Sequence, residues 1–235
     1  MKKQFLTGLK DGIPIALGYL SVSFGFGILC ISLGLSIAAA VGISATNLTS
    51  AGQVAGVGII AAGGTLVEMA LTQLVINIRY SLMGLSLAQK LDGSFNTLHR
   101  ALVSFGITDE IFAVAYAREE RLKPAYMYGL ILISASGWVS GTLLGAWLGQ
   151  VLPAALSNAM GIMLYGMFLA VVIPPARKDR GILAAAVGAA LCSLLFRYVL
   201  AFVSGGFAVI ISAVLAAAVC AALFPLPAEE EEECV

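Results

Sequence analysis

The sequence predicts an all-α polytopic membrane protein, and three features of its composition support this fold class. Of its 235 residues, 60% are hydrophobic and only 11% are charged, whereas soluble domains carry about 25% charged residues. The mean hydropathy is +0.99. Apolar segments follow one another with few polar breaks, as in chains that cross a bilayer repeatedly. With a formal net charge of zero, the chain offers no basic surface for nucleic acid.

Eight segments account for this pattern. Six are apolar and approach the ~20 residues that a helix needs to cross a bilayer; they lie near 12–33, 66–89, 125–149, 153–174, 181–203 and 205–224. Two others, 36–63 and 98–117, are apolar at their ends and polar in the middle. A helix that breaks at membrane depth has this composition, because freed backbone groups are tolerated only against protein or a wet cavity.

The positions of the lysine and arginine clusters predict how these segments are oriented in the membrane. They fall at residues 2–10, 90–100, 118–123 and 177–180, and the positive-inside rule places all of them in the cytoplasm. This requires 36–63 to enter from outside and return, and 98–117 to enter from inside and return. The prediction is about six full transmembrane helices plus two re-entrant or broken segments, with both termini cytoplasmic. The alternative, seven or eight full spans, leaves Lys90 and Arg100 outside.

Residues 1–225 are predicted to form one transmembrane domain. Residues 226–235 contain five consecutive glutamates, which repel one another, so we expect a disordered acidic tail. The four cysteines have no zinc or disulfide spacing. His99 is the only histidine, and the sequence has no metal-protease, phosphate-loop or nucleophile motif. We therefore expect neither an enzyme nor a cofactor.

Residues 67–90 pose the main chemical question, because an apolar stretch contains a carboxylate, two amides and a guanidinium. As one helix of 100° per residue, it places Glu68, Thr72 and Arg79 on one face, and Gln73 and Asn77 on another. Such polar seams face protein or a wet cavity. Glu68 and Arg79 would be about 16 Å apart along the axis and could not pair.

Arg79 therefore needs an acid from elsewhere, and the candidates are Asp109 and Glu110, which follow Thr108 in the segment 98–117. The alternative is that these charges lie at helix ends and are hydrated.

The polar island at 42–56 is the third candidate element of a site. In secondary transporters, half-helix N-termini at such breaks bind carboxylates and free carbonyls bind cations. Asn47, Ser50 and Gln53 would supply side chains. The alternative is an ordinary extracellular loop between two short helices.

Two features lie further along the chain. Glycines recur every four residues at Gly137, Gly141, Gly145 and Gly149, which predicts a face for close helix contact. Arg197 is a lone charge in an apolar span; it either binds an acid or extends from near a helix end to the interface.

The order of three motifs resembles one known family. They are "TSAGQVAGVGIIAAGG", "LVINIRYSLMGLSLAQKL" and "FGITDEIFAVAYARE", and together they are similar to the AzlC family, the large subunits of two-component branched-chain amino acid exporters. The residues that match are Gln53, Asn77, Arg79, Thr108, Asp109 and Glu110. The family often has histidine after the arginine, where this chain has Tyr80.

The resemblance implies export of leucine, isoleucine or valine across the bacterial cytoplasmic membrane, driven by the proton gradient or membrane potential. It also implies a small, four-span AzlD-type membrane partner. In this hypothesis Arg79, or the helix N-terminus at 47–53, binds the substrate carboxylate. Glu68, Thr108, Asp109, Glu110 and Arg197 are the coupling or charge-pair candidates. The alternatives are a channel or carrier for other small solutes, or a structural membrane subunit.

Overall fold

The structure is a computed structural model and describes residues 1–149, 151, 162, 166, 168–169, 172–200 and 202–224. Among these residues the named elements are all helices: α1 Lys2–Ser32, α2 Ile37–Thr46, α3 Ser50–Ala61, α4 Leu66–Asn77, α5 Arg79–Lys90, α6 Thr97–Phe105, α7 Asp109–Tyr116, α8 Pro124–Leu148, α9 Arg180–Tyr198 and α10 Gly205–Leu223. The predicted fold class, an all-α polytopic membrane protein, is confirmed.

The chain divides into two compact units, Met1–Met167 and Phe168–Val235. The first contains α1 to α8, and the second contains α9 and α10, which pack against each other. The single domain over 1–225 stays a prediction. The acidic tail at 226–235 lies outside the described residues.

Four described helices, α1, α8, α9 and α10, are long and apolar enough to cross a membrane. They confirm the spans predicted near 12–33, 125–149, 181–203 and 205–224. The span predicted at 153–174 lies largely outside the described residues. The span predicted at 66–89 is not one continuous helix, as described below.

Helices α1 and α8 are in backbone contact along most of their lengths. Gly137, Gly141 and Gly145 of α8 lie against the backbone of Ala16, Leu20 and Phe24 of α1, and Gly8 and Gly27 of α1 lie against the backbone of Tyr126 and Thr142 of α8. Because both residue numbers rise together, the two helices are parallel. The close contact predicted for the glycine face is confirmed, and its partner is within the chain.

The N-termini of α1 and α8 define one end of the first unit, which we call the basic end. The C-termini of α5 and α7 join them there: Leu122 N–H donates to the Lys90 carbonyl at 2.8 Å, and Lys90 Nζ donates to the Arg118 carbonyl at 2.6 Å. Arg118 also pairs with Asp11 of α1 at 3.2 Å. These contacts bring Lys90 and Arg118 together at one end of the first unit.

Helices α2 and α3 form a re-entrant hairpin from the opposite end. The chain leaves helical geometry at 47–49, after which α3 turns back. Ala40 of α2 and Val57 of α3 pack in one apolar cluster with Cys30 of α1 and Ala146 of α8, far from the basic end. The interruption predicted near 47–52 is confirmed, and only three residues separate the two short helices.

Helices α6 and α7 form a second hairpin, which enters from the basic end. His99 in α6 contacts the hydroxyl of Tyr128 in α8 at 2.7 Å. The chain then turns at 106–108, and α7 returns to Tyr116, whose carbonyl accepts a hydrogen bond from Lys90. The predicted break in 98–117 is confirmed. Because both hairpins return to the end where they start, the first unit follows the arrangement with two re-entrant segments.

The interpretation of 67–90 as one helix is wrong. The structure interrupts it at Ile78, between α4 and α5, where Ser81 N–H donates to the Ile78 carbonyl at 3.0 Å, only three residues back. The residues on either side have different partners: Asn77 bonds to Thr49 of the first hairpin, and Arg79 to Asp109 of the second. Helices α4 and α5 together still lead to the basic end.

The glycine contact predicts a strong effect of a single methyl group. Gly145→Ala would place a Cβ inside the van der Waals radius of the Phe24 carbonyl. Overpacking of this kind typically costs about 1–3 kcal/mol, so we expect a lower unfolding temperature and less folded protein in the membrane. The measurement is thermal unfolding of the detergent-purified protein. Gly18→Ala is the control, because nothing lies within 4 Å of a Cβ there; equal stability of the two variants would contradict the packing.

Candidate functional site

The interruptions of three helical segments meet at an ion pair. Arg79 opens α5 and Asp109 opens α7, and Arg79 Nη2 lies 2.9 Å from Asp109 Oδ2. The two side chains are 38% and 30% exposed, so the pair is only partly buried by the protein. The predicted pairing of Arg79 with an acid from 98–117 is confirmed for Asp109.

Glu110 is held by a different partner. The Tyr19 hydroxyl of α1 lies 2.5 Å from Glu110 Oε2 and 2.6 Å from Thr108 Oγ1. Tyr19 is buried, as is Thr108. Two acids adjacent in sequence therefore have distinct environments: Asp109 faces a cation, and Glu110 faces a phenol.

Thr108 positions both acids by ending the turn and starting α7. Its hydroxyl accepts a hydrogen bond from Ile111 N–H at 3.3 Å, the N-cap arrangement that satisfies a free amide of the first turn. Acidic side chains are favoured there, because the N-terminal end of a helix carries partial positive charge. The sequence Thr-Asp-Glu thus explains why α7 begins at this point.

Gln53 holds the first hairpin against α8. Its Oε1 accepts a hydrogen bond from Trp138 Nε1 at 3.0 Å, and its Nε2 donates to the Asn47 carbonyl, which the break at 47–49 has freed from helical bonding. Gln53 is 1% exposed. Its amide therefore satisfies buried groups of the protein, and its predicted contact with substrate stays a prediction.

A second chain of hydrogen bonds joins the first hairpin to α4. Thr49 Oγ1 donates to Asn77 Oδ1 at 2.7 Å, Asn77 Nδ2 donates to Gln73 Oε1 at 3.0 Å, and Gln73 Nε2 donates to the Gly52 carbonyl at 2.8 Å. A Cβ at Gly52 would lie 2.5 Å from Gln73 Oε1, so a larger residue there would displace the Gln73 amide. The second polar face predicted for 67–90 thus faces the N-terminus of α3.

Three other predicted site residues lie apart from these contacts. Ser50 is the first residue of α3 and is half-buried. Glu68 is buried in the first turn of α4, where its N–H donates to Thr65 Oγ1 at 3.1 Å. Arg197 belongs to the second unit, in the last turn of α9, and is exposed.

Tyr19 and Trp138 were not among the residues singled out from the sequence. Their rings make an edge contact, with centroids 5.2 Å apart and planes at 82°. Each offers a polar atom inside an apolar helix, and such atoms find partners when buried. The sequence signal that could have identified Trp138 is its position directly after Gly137, the first glycine of the α8 contact face.

The fold and the site together indicate the class of protein to which the chain belongs. Interrupted helices that enter from opposite ends and meet at a charged centre are typical of membrane transport proteins. Comparison with known families is more specific: the family model described as "AzlC protein" matches residues 14–152. The chain belongs to the AzlC family, and its role is related to membrane transport.

Individual relatives agree with this assignment. The chain is 33% identical over 210 residues to the inner membrane protein YgaZ of Escherichia coli strain K12, covering 86% of each chain. It is 32% identical over 189 residues to an uncharacterized membrane protein of Archaeoglobus fulgidus, covering 80% of this chain and 82% of the relative. No solved structure matches the chain.

The contact between Trp138 and Gln53 predicts a measurable loss of stability. Trp138→Phe keeps an aromatic ring but removes the indole N–H, so Gln53 Oε1 would stay buried without its donor. An unsatisfied buried group costs about 1–3 kcal/mol, and we expect a corresponding fall in thermal stability of the purified protein. Trp147→Phe on the same helix is the matched control, because Trp147 is 63% exposed. A stability equal to that of the control would show that the indole N–H is not needed.

Proposed function

We propose that this chain is the large subunit of a secondary transporter that exports branched-chain amino acids across the bacterial cytoplasmic membrane. The observation that carries the proposal is the half-exposed pair of Arg79 and Asp109 at the meeting point of three interrupted segments. Leucine, isoleucine and valine are zwitterions with an apolar side chain, and this pair offers one partner for each of their charges.

The chemistry of recognition follows from the two groups. A planar guanidinium can bind a carboxylate through two parallel hydrogen bonds, so Arg79 is the partner for the substrate carboxylate. Asp109 is then the partner for the ammonium group. The N-termini of α3 and α7 add partial positive charge near the carboxylate. The apolar walls of a helical membrane protein suit an aliphatic side chain.

The ion pair also favours a zwitterion over a simple ion. A lone Arg at the membrane centre costs at least about 2.5 kcal/mol on insertion scales. In the empty site the two residues neutralise each other, and a zwitterion that separates them gives each a new partner of the opposite sign. The net charge of the site stays the same in both states, which a monovalent ion cannot achieve.

The two hairpins supply a basis for alternating access. One returns to the basic end and the other to the opposite end, and both tips lie at the central site. Movement of one hairpin opens a path to one side of the membrane, as in transporters built on broken helices. We propose this mechanism rather than a channel, in which both paths would be open together.

The positive-inside rule orients the molecule. The basic end, with Lys90, Arg118 and Arg121, faces the cytoplasm in this proposal, and both termini are cytoplasmic. The name of the Escherichia coli relative, an inner membrane protein, supports the cytoplasmic membrane as the location. A four-span AzlD-type protein is the proposed partner, and no enzymatic step is part of the function.

Arg79 is expected to be required for transport. Arg79→Gln removes the carboxylate partner, and leucine efflux from preloaded cells should fall to background. Arg79→Lys keeps the charge without the planar fork and should lose most of the efflux. Efflux is normalised to the amount of protein in the membrane. Arg100→Gln, an exposed arginine on α6, is the control and should transport normally. Wild-type efflux by Arg79→Gln would remove Arg79 from the substrate site.

Exchanging the charges of Arg79 and Asp109 distinguishes their role in folding from their role in binding the substrate. Arg79→Asp or Asp109→Arg alone brings two like charges together, so we expect little protein in the membrane. The double variant restores an ion pair and should restore the protein level, whereas leucine efflux should stay low because the fork and the acid have changed places. If the double variant shows no recovery of the protein level over the single variants, the two residues are not coupled.

A further inference from the structure

We propose that Glu110, together with Tyr19 and Thr108, is a proton-binding site that is distinct from the Arg79–Asp109 pair. The inference rests on the proposed function only in its consequence, namely that proton binding drives export. The site itself follows from the hydrogen-bond geometry around the Tyr19 hydroxyl, which has one proton and lies between two oxygen atoms, at 2.5 Å from Glu110 Oε2 and 2.6 Å from Thr108 Oγ1.

When Glu110 is ionised, the arrangement is fully satisfied. A hydrogen bond to a carboxylate is shorter and stronger than one to a neutral hydroxyl. The Tyr19 proton is therefore donated to Glu110, and Thr108 Oγ1 accepts from Ile111 N–H. The short O···O distance to Glu110 agrees with this state.

When Glu110 is protonated, Glu110 and Tyr19 again have hydrogen-bond partners. The carboxylic acid becomes the donor, and the Tyr19 oxygen accepts its hydrogen bond. Tyr19 then donates to Thr108 Oγ1, which has two lone pairs and can accept from Ile111 N–H as well. One proton enters from solvent and is bound on Glu110, the Tyr19 O–H rotates from Glu110 to Thr108, and the Thr108 O–H, which donates to the Tyr19 oxygen when Glu110 is ionised, turns away from it. The Glu110 carboxyl and the Tyr19 hydroxyl are therefore hydrogen-bonded in both protonation states.

Asp109 cannot take up a proton without the loss of an interaction. Its carboxylate is paired with Arg79 at 2.9 Å, and its protonation would leave a guanidinium without its partner inside the membrane, which is costly. The titratable groups next to Glu110 are Tyr19 from α1 and Asp109 from α7 itself; of α5, Tyr80 interacts with Tyr19, and Arg79 pairs with Asp109. From α8 the contact with Tyr19 is the ring of Trp138, which does not titrate.

Proton binding at Glu110 is connected to both hairpins. Glu110 and Thr108 belong to the tip of the second hairpin, and the Tyr19 ring contacts Trp138, which donates to Gln53 in the first. A change of the Tyr19 hydrogen bond therefore acts at the point where the two hairpins are joined. This is the position that a coupling proton needs if it is to bias one hairpin against the other.

The test is an infrared titration of the full-length purified protein in lipid, which needs no substrate. A protonated carboxylic acid has a carbonyl band that a carboxylate lacks. Because the chain has 13 acidic residues, the Glu110 band is read from the difference between the acidified wild-type and Glu110→Gln spectra. We expect one carbonyl band of the wild-type protein to be missing in Glu110→Gln and to be present in Asp109→Asn. A Glu110→Gln spectrum equal to that of the wild type, or loss of the same band in Asp109→Asn, would overturn the assignment.

Tyr19→Phe provides a second test, which holds even if Glu110→Gln does not fold. It removes the donor that stabilises the carboxylate, so the midpoint of the band should move to higher pH. The control is Tyr116→Phe, at an exposed tyrosine of α7, the helix that contains Glu110. It should leave the midpoint unchanged. An unchanged midpoint in Tyr19→Phe would also overturn the proposal.

Leucine transport is measured in parallel, in liposomes that contain the same variants together with the proposed four-span partner. We expect Glu110→Gln to lose at least about tenfold of the flux driven by a pH gradient and to keep leucine–leucine exchange within about twofold. If the wild-type protein moves no leucine, the proposed function fails while the infrared result still decides the proton site. Unaltered gradient-driven flux in Glu110→Gln would separate the proton site from export.

Discussion

The backbone contact between α1 and α8 is the constraint on which the rest of the first unit depends. Helices in a membrane gain little from burying apolar side chains, so close packing through small residues is a main source of association. Here the glycines allow the two backbones to touch along most of their lengths. The contact places Tyr19 beside Trp138, and each of these residues then holds one hairpin tip. Without the glycines, neither aromatic residue would reach its polar partner.

The second constraint concerns the two hairpins. Each turn leaves backbone N–H and C=O groups without helical hydrogen bonds, in a part of the protein where water is scarce. Side chains of other segments satisfy them: Gln53 bonds to the Asn47 carbonyl, Gln73 bonds to the Gly52 carbonyl, and Thr108 caps α7. Several polar residues of the site are therefore part of the fold itself. Loss of transport in variants of these residues has to be separated from loss of folding, whereas the contacts of Arg79, Asp109 and Glu110 described above are made by the charged ends of their side chains.

The separation of two adjacent acids is the chemical result of this arrangement. At the start of a helix, successive side chains point about 100° apart, so Asp109 and Glu110 face different neighbours. One faces the guanidinium of α5, and the other faces the phenol of α1. A carboxylate with a fixed cation suits a permanent charge, and a carboxylate with a hydroxyl that can either donate or accept suits a proton. The fold thus assigns different chemistry to neighbouring positions.

Much of the architecture was determined by the sequence alone, for a local reason. Polar islands in apolar segments cannot lie in lipid, so the break near 47–52, a break within 98–117, the glycine face and the need of Arg79 for an acid were all predictable from composition and spacing. The tertiary structure alone decided the interruption at Ile78, where no proline or glycine marks it and the residue keeps helical angles. It also decided that Asp109 rather than Glu110 pairs with Arg79, and that α1 is the partner of α8. Tyr19 and Trp138 entered the site in the same way, because their roles depend on contacts across 89 and 85 residues of chain, which no local pattern encodes.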